Sequence, residues 1–333
     1  MTELHIHFET RPNKPPVFRM TAEPIAAALT RSGLADVRTS LGEDLAALDW
    51  LATADGLVAS NDVLRDATFP LTDLARAAPK LRWIHVIGAG IEPLLPLDWL
   101  PRHVTLTNNS GVHVDKMRQS ALMMLLMLNV RLPAMVTNQQ HARWDAIFTP
   151  TTVGKTVVVI GVGDIGASFA HAAKALGMTA IGVRRGGAPH PDFDRTVAID
   201  VLDAVLPSAD MVVIATPLTP ATRDIIDRRR LGLLKPGVGL VNVGRAGCLD
   251  HAALIAALES GALSGAIIDV YDPEPLPSSS PLWRTPNLVM IPHVSSDDLD
   301  LYLPKTYDLV FANAARLRRG EPLLNAVDPT LGY

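Results

Sequence analysis

A chain of 333 residues with 48% hydrophobic and 19% charged side chains is long enough for about two domains and apolar enough to bury a core in each, which sets aside disordered and fibrous classes. The formal charge of -4 and pI near 6.2 supply no basic field for a polyanion, so nucleic acid is a poor partner and a small anionic substrate needs a local cation. The single cysteine, Cys248, excludes an internal disulfide framework and a cysteine-rich metal cluster, and suits a reducing cytoplasm.

The opening residues MTELHIHFETRP are acidic and polar where a secretory peptide needs an unbroken apolar core, so no export is expected. Strands are predicted at LHIHF from Leu4, GLVAS from Gly56 and LRWIHV from Leu81, separated by alanine-rich helical stretches near Ala26, Leu45 and Leu74, which together make a smaller α/β domain. A long helix follows, roughly His113 to Leu132, with Pro133 as its stop. Its most apolar part, Ala121 to Val130, is about half the roughly 20 residues of a bilayer crossing and is flanked by Arg118 and Arg131, so it reads as a buried helix. Six further strands are predicted: TVVVI from Thr156, TAIGV from Thr179, MVVI from Met211, GLVNV from Gly239, GAIID from Gly265 and LVMI from Leu288. Continuous apolar runs alternating with helices suit a parallel sheet covered on both faces. The last helical pattern, roughly Asp298 to Arg319, has no strand left to pair with and is expected to cross back to the first domain. The expected fold is α/β, with two Rossmann-like doubly wound parallel-sheet domains and a cleft between them. Residues 1–108 with 295–333 form a substrate-binding domain, and residues 109–294 a dinucleotide-binding domain.

The segment VVVIGVGDIGASFA puts Gly161, Gly163 and Gly166 directly after a strand and at the head of a helix. The first glycine permits a tight turn, the second lets a pyrophosphate approach the backbone, and the third lets helix and strand pack closely. With Asp164 and Ile165 between them, the amides of the helix N-terminus are the phosphate donors. The next strand ends at Val183, and Arg184 stands 18 positions after Gly166 (184 minus 166), where an NAD site places an acid on the ribose 2′-hydroxyl. An arginine there accepts a 2′-phosphate, so Arg184 and Arg185 point to NADP(H), with NAD(H) as the alternative. The competing readings are two solvated surface arginines, or a ribose contact from Asp192 or Asp194 across the Gly-Gly-Ala-Pro-His-Pro stretch.

Three polar residues stand beyond the carboxyl ends of later strands, where open α/β sheets hold ligands: Arg245 in VNVGRAGCLD, Glu274 in DVYDPEPLP and His293 in IPHVSS. Together with TNNSGV, GVGDIG and ATPLTPAT, these motifs follow the order found in the D-isomer-specific 2-hydroxyacid dehydrogenases. The sequence resembles that family over nearly its whole length, most strongly from Asn108 to Ser296. Its members include glyoxylate/hydroxypyruvate reductases and phosphoglycerate dehydrogenases, so the resemblance implies hydride transfer between NADP(H) and a small 2-oxo or 2-hydroxy acid. Reduction of such an acid needs a proton for the carbonyl oxygen, which a histidine provides and, in reverse, removes; His293 is the candidate. By analogy with the family, Glu274 orients the imidazole and favours its protonated form, and Arg245 holds the substrate carboxylate and polarises the carbonyl. Taken singly, the three also read as a satisfied strand-end histidine, a solvated acid and a surface cation.

WIHVIGAGIEPLLP resembles the family's substrate-carboxylate loop, with the amides of Ile87, Gly88, Ala89 and Gly90 turned towards an anion. Thr216 and Pro217 of ATPLT resemble positions lining the cofactor, and Val243 and Gly244, directly before Arg245, are assigned there with His293. Asp269 resembles a residue contacting the nicotinamide amide; a helix or turn cap is the competing role. Trp144 resembles a tryptophan that some members present at the active site across a dimer interface, although a plain core or interface tryptophan reads the same way. The resemblance implies a homodimer; cysteine usage, charge and helix length lead to the expectation of a cytoplasmic protein with no metal, membrane or nucleic-acid partner. Cys248 has no neighbouring histidine and is not expected to be a nucleophile. Two departures stand out: Arg118-Gln119 where many relatives read Ala-Glu, and an acidic Val-Ser-Ser-Asp-Asp after His293. The alternative function is a nicotinamide-sensing regulatory or co-repressor-like protein on the same scaffold. Formate dehydrogenases, also similar, pair their histidine with glutamine where this chain has Glu274, and nothing positive supports phosphite oxidation.

Overall fold

The computed structural model describes residues 3–329, so residues 1–2 and 330–333 of the expected first domain lie outside the described residues. It divides into two compact units, one running to His113 and resuming at Asp297, the other Val114–Ser296. In the first, five parallel strands, β1 (Leu4–Thr10), β2 (Val37–Glu43), β3 (Gly56–Ala59), β4 (Trp83–Val86) and β5 (Thr105–Asn108), lie in the order β2-β1-β3-β4-β5. Three of them follow from apolar runs, whereas β2 and β5 were not expected. Strand β2 is an edge whose only buried residue is Val37, and the buried polar groups of β5 are satisfied by tertiary bonds such as Trp83 Nε1 to Thr107 Oγ1 at 2.7 Å.

Alternation along β1 decides its two faces. Leu4, Ile6 and Phe8 pack with Ile25 and Ala28 of α1 (Ala22–Ser32), which leaves His5, His7 and Glu9 for the opposite face. On β3, Leu57 and Ala59 join one core and Val58 the other, so the sheet is covered on both sides. The one-turn helices α2 (Asn61–Leu64) and α3 (Leu74–Ala77) supply Val63, Leu64 and Leu74 to the first of these cores. The stretch near Leu45 is not the helix expected: Asp44 and Leu45 have φ of 60° and 56°, and only a 3-10 turn, Asp49–Ala52, forms.

The second unit opens with α4 (Val114–Asn129) and α5 (Leu132–Gln140). Pro133 does not stop one long helix as expected. The break falls at Arg131, whose backbone is left-handed, and Pro133 sits in the first turn of α5, where its missing N–H costs nothing. The two helices meet at 66°; as a bent pair they have the length and composition of a membrane span, and no single described helix is long and apolar enough to be one. One face of α4 is buried through Met117, Ala121, Met124, Leu125 and Leu128, and the other exposes Leu122, Met123 and Leu126, so the helix is half-covered rather than fully buried.

Seven parallel strands follow: β6 (Thr156–Ile160), β7 (Thr179–Arg184), β8 (Arg195–Ala198), β9 (Met211–Ile214), β10 (Val238–Asn242), β11 (Leu263–Ile268) and β12 (Leu288–Met290), in the order β12-β11-β10-β9-β6-β7-β8. Strand β8 is one more than expected; it is a short edge paired only with β7, and Val197 is its one buried residue. Apolar runs are continuous because both faces are covered. Val158 and Ile160 of β6 face a core shared with α9 (His251–Glu259), while Val157 and Val159 face α4 and α6 (Asp164–Ala175). Each such side chain contributes about 1.5–3 kcal/mol by leaving water. The one-turn helices α7 (Leu202–Val205) and α8 (Arg228–Leu231) close the first of these layers. Strand order reverses at β6, which has β7 on one side and β9 on the other, and such a switch point leaves a crevice at the carboxyl ends.

The last helix, α10 (Tyr302–Arg319), belongs to the first unit and lays Tyr307, Val310, Phe311 and Ala314 on the Ile6/Phe8 face of β1. It starts later than its sequence pattern because the Asp298 side chain accepts from the amides of Asp300 and Leu301, closing a turn first.

Candidate active site

At the end of β6, Gly161 has φ of 105° and donates its amide to Val183 O at 2.9 Å; a Cβ there would lie 2.5 Å from Ala215 O. A Cβ at Gly166 would collide with Gly161 O, so α6 presses directly on the loop. Gly163 caps α6 with nothing within 4 Å of where its Cβ would stand. The first-turn amides of Asp164, Ile165 and Gly166 have no carbonyl one turn earlier to pair with, and the space above Gly163 leaves room for an anion, so the segment fits a dinucleotide pyrophosphate. The loops after β9 and β10 press on it too: a Cβ at Gly244 would lie 2.6 Å from Thr216 O. Thr216 is buried, Pro217 half-buried, and Val243 donates to Ile214 O at 3.0 Å. Beneath them Cys248 is fully buried, and burial pushes its thiol up, which leaves it inert.

Arg184 ends β7, one residue past the carbonyl that takes the Gly161 amide, and its Nη1 lies 3.5 Å from Ala188 O. Arg185 is exposed in the turn closed by Gly187 N to Arg184 O at 3.3 Å. Asp194 accepts from Ala180 N at 2.8 Å, at the far end of β7 from Gly161, so it does not take the ribose position. Asp192 faces His190 at 3.9 Å.

Asn242, fully buried at the end of β10, donates to Arg245 O and accepts from Gly244 N, both at 3.1 Å, which fixes the loop carrying Arg245. The half-buried Arg245 turns Nη1 to Gly244 O at 2.7 Å. Glu274 and His293 are in direct contact. Tyr271 N donates to Glu274 Oε1 at 2.8 Å, and Oε2 lies 2.8 Å from His293 Nδ1. A carboxylate only accepts, so Nδ1 carries the proton in this contact and Nε2 is the ring's other functional nitrogen. The ring is 48% exposed and its backbone left-handed, φ 55°, a strain of about 1–3 kcal/mol that neighbours must hold.

Asp269 is one of those neighbours. It accepts from Val294 N at 3.1 Å, from Ser295 N at 3.4 Å and from the Ser295 hydroxyl, which is the turn-cap arrangement. Burial pushes its carboxyl up, while Ser295, the nearby His293 and the two amides pull it down. The Tyr271 hydroxyl lies 2.8 Å from both Ile268 O and Ile291 O, tying the ends of β11 and β12 together. Asn242, Tyr271 and Ser295 stand inside motifs quoted from the sequence; Asn242 bonds within its own loop, whereas Tyr271 and Ser295 reach Ile291 and Asp269 beside neighbouring strands, which no local signal marks.

In the first unit the carbonyls of the loop after β4 are all taken. Ile87 O accepts from Asn109 Nδ2 at 2.8 Å and from the Tyr302 hydroxyl, Gly88 O from Asn109 N at 3.1 Å, Ala89 O from Asn108 Nδ2 at 2.8 Å and Gly90 O from Asn61 Nδ2 at 2.9 Å. The amides of Gly88, Ala89 and Gly90 donate to no acceptor among the described residues. Ile87 differs from expectation: its amide extends the sheet to Ala59 O at 3.0 Å and is not available to an anion. Trp144 is fully exposed, which removes the core reading, and Arg118 and Gln119 lie on the exposed side of α4.

Residues 122–295, a little over half the chain, match the model of the D-isomer specific 2-hydroxyacid dehydrogenase, NAD binding domain. The glyoxylate reductase of Korarchaeum cryptofilum (strain OPF8) is 28% identical over 267 residues, 77% of this chain and 79% of that protein. Among solved structures, the D-isomer specific 2-hydroxyacid dehydrogenase from Xanthobacter autotrophicus Py2 in complex with NADPH and MES has a TM-score of 0.82 at 28% identity, covering 100% of both chains. The NADPH-dependent glyoxylate/hydroxypyruvate reductase of Sinorhizobium meliloti in complex with NADP and sulfate has a TM-score of 0.79 at 26% identity, over 99% of this chain and 100% of that one. With a dinucleotide-type glycine loop at the switch point of a seven-stranded parallel sheet, the chain belongs to the D-isomer specific 2-hydroxyacid dehydrogenase family and is an NAD(P)-dependent oxidoreductase that moves hydride to and from a 2-hydroxy acid.

Proposed function

We propose that this dehydrogenase reduces small 2-oxo acids of the glyoxylate or hydroxypyruvate type with NADPH, using His293 as its acid and base. The observation that carries the reading is the 2.8 Å contact of His293 Nδ1 with Glu274, whose second oxygen is pinned by the Tyr271 amide. Glu274 thereby sets the ring's orientation and offsets its charge when both nitrogens hold protons. His293 Nε2 gives a proton to the carbonyl oxygen during reduction and takes it back in the reverse direction. A bound nicotinamide supplies the hydride. Arg245 offers the planar donor set that holds and polarises the acid. In the first unit, the unclaimed amides of Gly88, Ala89 and Gly90 suit a carboxylate. Asp269, besides capping its turn, keeps lone pairs for the carboxamide of the cofactor.

NADP(H) is favoured over NAD(H) by Arg184 at the end of β7, beside the glycine loop, with Asp194 engaged at the other end of that strand. A homodimer is favoured by the apolar surface of the second unit, where Trp144, Phe148 and Val153 are exposed along with Leu122, Met123 and Leu126 of α4. The test is a panel of glyoxylate, hydroxypyruvate, pyruvate and bulkier 2-oxo acids with both reduced cofactors. The expected result is the highest kcat/KM for a two- or three-carbon acid with NADPH. Cofactor consumption at background across the panel overturns the reading.

A further inference from the structure

The first unit carries a second constellation of catalytic residue types, on the face of β1 that its hydrophobic residues leave free. His5, His7 and Glu9 alternate along β1 and are 3%, 2% and 0% exposed. Opposite them on β2, the half-buried Ser40 lies between the two imidazoles, 2.8 Å from His7 Nδ1 and 2.6 Å from His5 Nε2. His7 Nε2 lies 2.9 Å from Glu9 Oε2, and Glu9 Oε1 accepts from Leu45 N at 2.8 Å. A side chain at Gly42 would collide with Glu9, so β2 leaves the room this carboxylate needs. Trp50 stacks on His7 with ring centroids 4.1 Å apart, and a cavity of about 500 Å³ opens over Ser40, lined also by Arg38 and Thr53.

The buried carboxylate sets the order of the protons along this row. A carboxylate only accepts, so His7 donates from Nε2 and a neutral His7 accepts at Nδ1. Among the described residues, the donor there is the Ser40 hydroxyl. Its oxygen then accepts from His5 Nε2 at 2.6 Å, and His5 Nδ1 lies 3.0 Å from Thr53 Oγ1, whose hydroxyl also reaches Trp50 O at 3.2 Å. Burial pushes His5 down, which suits the neutral ring this order requires. Serine, imidazole and buried carboxylate are thus lined up with the serine proton aimed at the base, a relation recognised by geometry and not by fold.

We propose that Ser40 is an activated nucleophile and that the cavity over it is an acyl-transfer site for small carboxylic esters, separate from the dehydrogenase chemistry. Ser40 Oγ bonds to the ester carbonyl carbon and the alkoxy C–O bond breaks. The serine proton passes to His7 Nδ1 and on to the departing alkoxide, which leaves acyl-Ser40 and an alcohol. Water, deprotonated by the same nitrogen, then releases the carboxylic acid and restores Ser40. Arg38, two residues earlier on the same face of β2, is the cation nearest in sequence for the carbonyl oxygen.

The test treats the full-length protein with a fluorophosphonate probe and maps the label by peptide mass spectrometry, alongside hydrolysis of p-nitrophenyl acetate. Ser40 is expected to be the labelled residue, and Ser40→Ala to lower hydrolysis at least tenfold. Glu9→Gln is the sharper variant. Leu45 N still requires an acceptor, so the new amide turns its oxygen to Leu45 and its NH2 to His7 Nε2. His7 must then hold its proton on Nδ1 and donate it to Ser40, which loses its base while every hydrogen bond survives. Labelling is expected to fall at least tenfold with 2-oxo acid reduction and circular dichroism unchanged. Wild-type protein left unlabelled at Ser40, or undiminished labelling in a folded Glu9→Gln, overturns the proposal.

Discussion

His293 is held in a backbone conformation that non-glycine residues avoid, and the structure supplies three separate restraints on it: Glu274 on the ring, Asp269 on the two residues that follow, and Tyr271 between the flanking strands. Removing the ring leaves the Asp269 and Tyr271 restraints on the backbone in place and so isolates its chemistry. His293→Ala is expected to lower kcat for 2-oxo acid reduction by at least about a hundredfold, the lower end for loss of a general acid, in steady-state assays with NADPH. A near-normal rate would remove His293 from the mechanism. The second residue-scale prediction concerns Arg184. Replacing it with aspartate puts an acid where a ribose 2′-hydroxyl is bound and a 2′-phosphate repelled, so Arg184→Asp should lower the NADPH-to-NADH ratio of kcat/KM at least tenfold. An unchanged ratio returns the arginine to the solvated surface.

Loops owe their shape here to side chains that arrive from other elements. The loop after β4 is tied by Asn61, Asn108, Asn109 and Tyr302, and Asn109 is the hub: its Oδ1 lies 3.0 Å from His85 Nε2, and its Nδ2 donates to Ile87 O and Thr306 Oγ1, both at 2.8 Å. Asn109→Ala removes the partner of the buried His85 Nε2 and one of the two donors to Ile87 O, at a cost of about 1–3 kcal/mol. It should raise KM for the 2-oxo acid at least tenfold with a smaller change in kcat, because the loop and not the acid–base group is disturbed. A variant whose KM stays at the wild-type value would remove the loop from substrate binding. The loop after β10 is instead tied from within, through Asn242.

Stability of the whole molecule carries a pH signature from His85, which is fully buried beside Thr107 and Asn109 and pushed down to about 4 by burial. The unfolded chain titrates near 6.5, so between these values it binds a proton that the folded protein refuses. The neutral ring's contribution is complete above pH 6.5 and is lost as pH falls towards 4, about 3 kcal/mol over the window. Urea unfolding at pH 7 and at pH 4.5 should show this loss, and His85→Asn should flatten the slope; an unchanged slope assigns the acid sensitivity elsewhere. Assembly is tested at the same scale. Trp144→Arg with Phe148→Arg places charges on the exposed apolar surface of the second unit and should convert a sedimenting dimer to monomer. Wild-type protein that sediments as a monomer at all concentrations removes the dimer.

The apolar runs from Thr156 to Met290 and the spacing of Gly161, Gly163 and Gly166 were sufficient by themselves to determine a dinucleotide-binding sheet, because burial on both faces and close backbone approach leave direct marks on residue type. Edge strands β2 and β8 left no such mark, since an edge is half in water and tolerates polar residues. Tertiary structure alone decided which groups meet. Glu274 and His293 lie 19 positions apart and touch because their loops leave the neighbouring strands β11 and β12, and Ile87 loses its amide to β3. The His5, His7 and Glu9 alternation is visible in the sequence, but the serine between the two histidines comes from β2, whose register no local pattern encodes.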